Sequence, residues 1–318
     1  MRDEFVGRLT QMAERDARIM LVTGDLGFGV LTEFARRFPR QFVNAGVAEQ
    51  NMTSLATGLA LEGYIVFTYS IANFAFMRCL EQIRNDAAYH RANVNVVAIG
   101  GGLSYGQLGV SHHATEDISI MRAIPELMVV CPGDAWEAAE AAEAVAQQPG
   151  ASYIRLDRSS AQRMEQPGDQ FILGKARIVR TGTDVALLAA GGILSVAHEA
   201  ASQLALEGIQ CQVISMHTLK PFDEEAVLDA ARQTSGIVTL EEHTVDGGLG
   251  SAVAERLLEQ SCIPGFFYRV GLRGDFPSVV GSQAYLRQLY GLDAASVAVV
   301  VANLVRGLSA SGRRQLAA

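Results

Sequence analysis

The sequence predicts an α/β protein built from two parallel-sheet domains, and three observations carry that expectation. Apolar runs of strand length alternate with helical stretches along nearly the whole chain, the pattern of strands covered on both faces by helices. The alternation breaks once, where residues 160–178 turn polar around Gln166-Pro167-Gly168-Asp169, and then restarts. A chain of 318 residues also exceeds what one hydrophobic core comfortably serves. The expected division is a first domain at 1–165, a linker at 166–178 and a second domain at 179–318.

In the first domain, strands are predicted at 18–23, 94–100, 127–130 and 152–156, with helices at 52–61, 77–90 and 135–147. The small-residue helix ending at Leu61 reads as wholly buried. In the second domain, strands are predicted at 184–189, 210–216, 237–240 and 267–270, and helices at 195–207, 223–233 and 250–260.

Composition narrows the function. Hydrophobic residues make up 49% and charged residues 19%, enough to build packed cores. A net charge of −8 argues against nucleic-acid binding, which needs a basic face. Met1-Arg2-Asp3-Glu4 is unlike a signal peptide, and the apolar run from Val185 to Ala197 is too short to span a bilayer. Cys79, Cys131, Cys211 and Cys262 show no paired spacing, which fits a reducing cytoplasm and buried thiols and gives no zinc pattern. The expectation is a cytoplasmic protein with no membrane contact.

Glu49 is the most informative residue. It sits in Phe42-Val43-Asn44-Ala45-Gly46-Val47-Ala48-Glu49-Gln50-Asn51-Met52, where an apolar strand turns into a helix. A carboxylate buried there is either neutralised or held by a specific partner. Twenty-five residues on, Phe74 offers a flat aromatic face in Ile71-Ala72-Asn73-Phe74-Ala75-Phe76-Met77. A glycine-rich loop, Gly100-Gly101-Gly102-Leu103-Ser104-Tyr105-Gly106, then leads to His112 and His113. An imidazole at a pocket mouth shuttles protons near neutral pH. Further along come Leu219-Lys220-Pro221-Phe222-Asp223, Glu241-Glu242-His243 and Gly247-Gly248-Leu249-Gly250.

Together these segments resemble the transketolase-like thiamine diphosphate enzymes over nearly the whole chain, but only their two carboxy-terminal domains. The resemblance implies a pyrimidine-binding domain followed by a transketolase C-terminal-like domain whose main role is support of the dimer. It implies that Glu49 hydrogen-bonds and activates the aminopyrimidine ring and that Phe74 stacks on it. Ile71 and Met77 would complete that pocket, and His112 would move protons on the substrate, with His113 beside it. Arg158 falls where the family grips a sugar phosphate, and Arg2 lies where a second phosphate arginine would be.

Other features depart from the family. The Gly-Asp-Gly run that holds the diphosphate through Mg²⁺ is missing, and Gly24-Asp25-Leu26-Gly27 belongs to the pyrimidine domain instead. Without a metal or basic cradle the diphosphate charge would be uncompensated. The resemblance thus implies an amino-terminal partner subunit that carries the diphosphate and Mg²⁺, with self-association giving a heterotetramer. Gly29, Gly100 and Leu108 replace a serine, a histidine and an aspartate of the family's substrate site, which leaves open whether the sugar is phosphorylated. The activity implied is transfer of a two-carbon ketol unit from a ketose to an aldehyde. The alternatives are a decarboxylating relative, either a 1-deoxyxylulose-5-phosphate synthase or a 2-oxo acid dehydrogenase beta subunit, and a non-catalytic subunit. Retention of Glu49 argues against the last.

Overall fold

The computed structural model describes residues 1–158 and 162–315; residues 159–161, at the start of the polar stretch, and the last three lie outside it. Two mostly parallel sheets form the frame. The first contains β1 (Ile19–Thr23), β2 (Phe42–Asn44), β3 (Ile65–Ile71), β4 (Val94–Ile99), β5 (Leu127–Val130) and β6 (Ala151–Leu156). The second contains β7 (Arg177–Arg180), β8 (Val185–Ala190), β9 (Cys211–Ser215), β11 (Gly236–Thr244) and β12 (Phe267–Leu272). The short strand β10 (Thr218–Lys220) leaves the second domain and pairs antiparallel with β5. The sheet orders are β10-β5-β6-β4-β3-β1-β2 and β12-β11-β8-β9-β7.

Strands β1, β4, β6, β8 and β9 are buried at every residue, as two-sided helical cover requires. Helix starts are set locally. Asp134, Asp223 and Ser282 each accept a backbone N–H from the first turn of the helix they precede. The stretch Gln283–Leu308 is apolar and long enough, on length and composition alone, to cross a membrane. Here Leu286, Leu292, Val297 and Val301 are fully buried in the second core, so it serves as packing.

Several expectations need correction. Strand β3 lies outside the expected strands, because Thr68 and Ser70 interrupt its apolar run; both are buried, and their hydroxyls have no hydrogen-bond partner. The predicted helix at 77–90 instead contains two π-helical turns, Phe74–Arg78 and Ile83–Ala88, around Leu80–Gln82. The helix Glu49–Leu61 is not wholly buried. Met52, Thr53, Ala56 and Thr57 pack inward, while Leu55 and Leu61 face outward. The linker is less independent than its polarity suggests. Arg177, at its end, is buried and bonds Asp134 at 2.5 Å, Glu137 at 2.7 Å and Asp169 at 3.0 Å.

A second buried network joins the domains. Asp117 accepts from Arg155 Nε at 2.9 Å and from the Tyr153 hydroxyl at 2.8 Å. His243, fully buried nearby, stands 3.6 Å from Glu241 and 3.9 Å from Asp117. Its Nδ1 lies 2.6 Å from the Thr244 carbonyl oxygen, and Nε2 faces the Ser119 N–H at 3.4 Å. One acceptor and one donor suit the neutral imidazole, and burial pushes its pKa down to about 4. The unfolded chain takes up this proton first, near pH 6.5, so the His243 contribution to stability is lost as pH falls from about 6.5 through 4. Burial pushes Glu241 up to about 7, which acts with the opposite sign. The expected result is that His243→Gln loses less stability between pH 7 and pH 4.5 than the wild type, by about 2–3 kcal/mol in chemical melts. Equal pH slopes would remove this role.

Candidate active site

The predicted residues converge because each follows a parallel strand at its carboxyl end, the usual place for a site in an open α/β sheet. Glu49 comes after β2, Phe74 after β3, the histidine loop after β4 and Arg158 after β6. In the sheet these strands run β6-β4-β3-β1-β2, so the side chains form a row along one edge.

The row starts at Glu49, which is 6% exposed at the first turn of its helix. Its Oε1 accepts from Arg78 Nη1 at 3.0 Å. Arg78 lies four residues beyond Phe74 on a π-helical turn, and its guanidinium covers the Phe74 ring, 4.4 Å from the centroid. The other neighbour of Phe74 is His112, edge-to-face with ring centroids 5.2 Å apart. His112 in turn lies 6.2 Å from the Tyr105 ring, and Arg158 stacks on Tyr105 at 5.3 Å. An acid, an aromatic face, an imidazole and an arginine therefore stand in sequence. Of the predicted residues, Glu49, Phe74, His112 and Arg158 are thus brought together.

The remaining predicted residues have other settings. Ile71 is half-buried at the end of β3, and Met77 is exposed beside Arg78. Arg2 is half-exposed and bonds Asp3 at 2.8 Å. It lines a groove with Phe28 and Gly29, and its charge joins that of Arg158 in acting on the Tyr105 phenol against the upward push of burial. His113 is buried, and neither ring nitrogen has a hydrogen-bond partner, so burial pushes its pKa below the usual histidine range. Gly100 has a positive φ of 89°, and a Cβ there would meet the Tyr105 ring at 2.1 Å. The missing histidine thus makes room for Tyr105. Leu108 is exposed at the mouth of a cavity of about 370 Å³ that Tyr105, Gln107, Arg158, Ser282 and Gln283 also line.

Sequence reasoning missed Arg78, Tyr105 and Glu242. Arg78 gave no signal, because the predicted helix begins at Met77 and the contact with Phe74 is made on a π-helical turn. The residues present fit the pyrimidine half of thiamine diphosphate: a nearly buried carboxylate beside an aromatic face that a half-exposed guanidinium covers. Among the described residues no group of three or more His, Cys, Asp or Glu could hold a metal ion.

Residues 1–163 match the family "Transketolase, pyrimidine binding domain", and residues 174–297 match "Transketolase, C-terminal domain". The chain belongs to the transketolase family. It is 40% identical over 298 residues to a 6-deoxy-6-sulfo-D-fructose transketolase subunit from Clostridium sp. (strain MSTE9), covering 93% of this chain and 92% of that protein. It is 38% identical over 260 residues to an apulose-4-phosphate transketolase subunit from Phocaeicola vulgatus, covering 81% and 83%. A split-gene transketolase solved as an inactive beta4 tetramer superposes with a TM-score of 0.85 at 36% identity, covering 96% of this chain and 97% of that one. Transketolases are transferases that use thiamine diphosphate.

Proposed function

We propose that this chain is the carboxy-terminal subunit of a two-subunit, thiamine diphosphate-dependent transketolase of the cytoplasm. A separate amino-terminal subunit would carry the diphosphate and Mg²⁺ site, and two copies of each chain would assemble as a heterotetramer. The observation that carries this reading is the row Glu49, Arg78, Phe74, His112, which brings an acid, an aromatic face and an imidazole together. The names of the relatives, each a transketolase subunit, and the inactive tetramer of the split-gene protein support it.

Thiamine diphosphate, when bound, supplies the carbon nucleophile and the electron sink for the two-carbon unit. Glu49 would hold the pyrimidine ring nitrogen, and its carboxylate would take up and return the proton shared with it. Arg78, which bonds Glu49 and covers Phe74, would have to give way for these two residues to hold a heterocycle. Phe74 orients the ring, and aromatic contact adds about 0.5–1.5 kcal/mol beyond burial. His112, between Phe74 and Tyr105, moves a proton to and from a substrate oxygen.

Arg158 and the cavity beside it fit the far end of the sugar. Both relatives are named for ketoses that carry an oxyanion, a sulfo group in one and a phosphate in the other. A ketose with a terminal phosphate or sulfonate is therefore the proposed donor class. The test is ketol transfer by the reconstituted pair. Arg158→Leu should raise KM for an oxyanion-ended donor about tenfold or more, with kcat within threefold, since a charged hydrogen bond contributes about 1.5–3 kcal/mol. An unchanged KM, or no transfer from any ketose by the pair, would contradict the reading.

A further inference from the structure

The loop that carries His112 is fastened at its neck by the other domain. The neck closes on itself through Gly102 and Ala114, whose N–H groups donate to each other's carbonyl oxygens at 2.8 and 3.0 Å. Glu242, on β11, reaches across and accepts the Leu103 N–H at 2.6 Å. A Cβ on Gly102 would lie 2.6 Å from both the Glu242 carbonyl and its Oε1, so only glycine permits this approach. Further along the loop, Gln283 Nε2 donates to Ser104 Oγ at 3.2 Å, and the Gly281 N–H donates to the Gly106 carbonyl at 3.1 Å. On the far side of the neck, the Thr244 N–H donates to the Thr115 carbonyl at 2.8 Å.

The Glu242 carboxylate is itself held firmly. Gln283 Nε2 donates to Oε1 at 2.9 Å, and Arg287 Nε donates to Oε2. Asp157, buried alongside, meets the same two side chains at 3.4 and 3.5 Å. Glu242 is 2% exposed, and each carboxylate oxygen has a donor. His112, in contrast, has a loop-internal contact, Ser111 Oγ at 3.0 Å from Nδ1, and ring contacts with Phe74 and Tyr105. Tyr105 rides on the same loop. The distance from the imidazole to Phe74 is set from two sides, by Asn73, whose Nδ2 donates to the Ser111 carbonyl at 2.6 Å, and by the neck.

We propose that Glu242 of the carboxy-terminal domain is a positioning residue for His112, holding the neck of the histidine loop so that the imidazole stands against Phe74. The kinetic part rests on the transketolase reading; the structural part does not. It gives the second domain a part in the chemistry beyond support of an oligomer. Local opening of a loop is governed by the bonds that close it, and a hydrogen bond to a buried carboxylate is among the strong ones.

The experiment uses Glu242→Ala, Glu242→Gln and Gln283→Ala in the full chain. Amide hydrogen exchange of peptides covering 103–115 is read alone, and kcat and KM are read in the reconstituted pair. Glu242→Ala should speed exchange in 103–115 about tenfold or more while β1 and β4 keep wild-type protection, and should lower kcat about tenfold with KM within threefold. Glu242→Gln should recover part of both, because its amide oxygen still accepts the Leu103 N–H while its amide nitrogen turns a donor towards Arg287 Nε. Should Glu242→Ala fail to fold, Gln283→Ala decides, with an expected acceleration of about threefold confined to the same peptides. Unchanged exchange in 103–115, or loosening spread evenly over the second sheet, would overturn the proposal. So would an unchanged kcat in a variant whose loop exchanges faster. A wild-type pair without ketol transfer would sink the transketolase reading alone, and the exchange result would still judge the neck.

Discussion

Glu49→Gln is expected to abolish turnover in the assembled enzyme and leave this chain folded. Glutamine keeps the length and one acceptor oxygen for Arg78 but cannot hold or release a proton at the ring nitrogen. General acid–base contributions run to about 10²–10⁴, so a loss on the order of a thousandfold in kcat is expected. The fold loses little, because glutamine keeps the volume and an acceptor for Arg78 and removes the cost of a nearly buried charge. Melting temperature and kcat measured on the same preparation separate the two effects. A variant that keeps the wild-type rate would end the assignment, and one that unfolds would make Glu49 a packing residue.

The second large effect is omission of the partner. The row from Glu49 to His112 can receive a heterocycle, but a diphosphate needs a metal or a cluster of donors to balance its charge. Arg158 and Arg2 are committed to the Tyr105 end of the row, opposite Glu49. The chain alone is therefore expected to show no ketol transfer at any cofactor concentration, and addition of the amino-terminal subunit is expected to restore it.

Much of the candidate site's layout was legible in the sequence because its parts are local. Glu49, Phe74 and His112 each lie just past a strand, and the order of those strands in a parallel sheet aligns them. The strand β3 escapes notice because Thr68 and Ser70 are buried against expectation. The outward face of helix Glu49–Leu61 defeats the reading of a wholly buried helix, because apolar residues there point at solvent in the single chain. Arg78 is missed because its grip on Glu49 and Phe74 depends on a π-helical turn that periodicity does not announce. Glu242 is missed for a different reason. Its bond to Leu103 spans 139 positions, and no local pattern reports a contact of that range. Arg155, one charge in the fully buried strand β6, does carry a sign that a buried partner must exist, and Asp117 is that partner.

On the proposed reading this chain supplies the pyrimidine-activating half of a shared site and another chain the half that holds the charged tail. Calorimetric titration of thiamine diphosphate with Mg²⁺ tests it most directly, run on this chain, on the pair, and on the pair carrying Glu49→Gln. No saturable heat is expected with this chain alone, saturable binding with the pair, and binding with loss of turnover in the Glu49→Gln pair. Saturable micromolar binding by the isolated chain would contradict it.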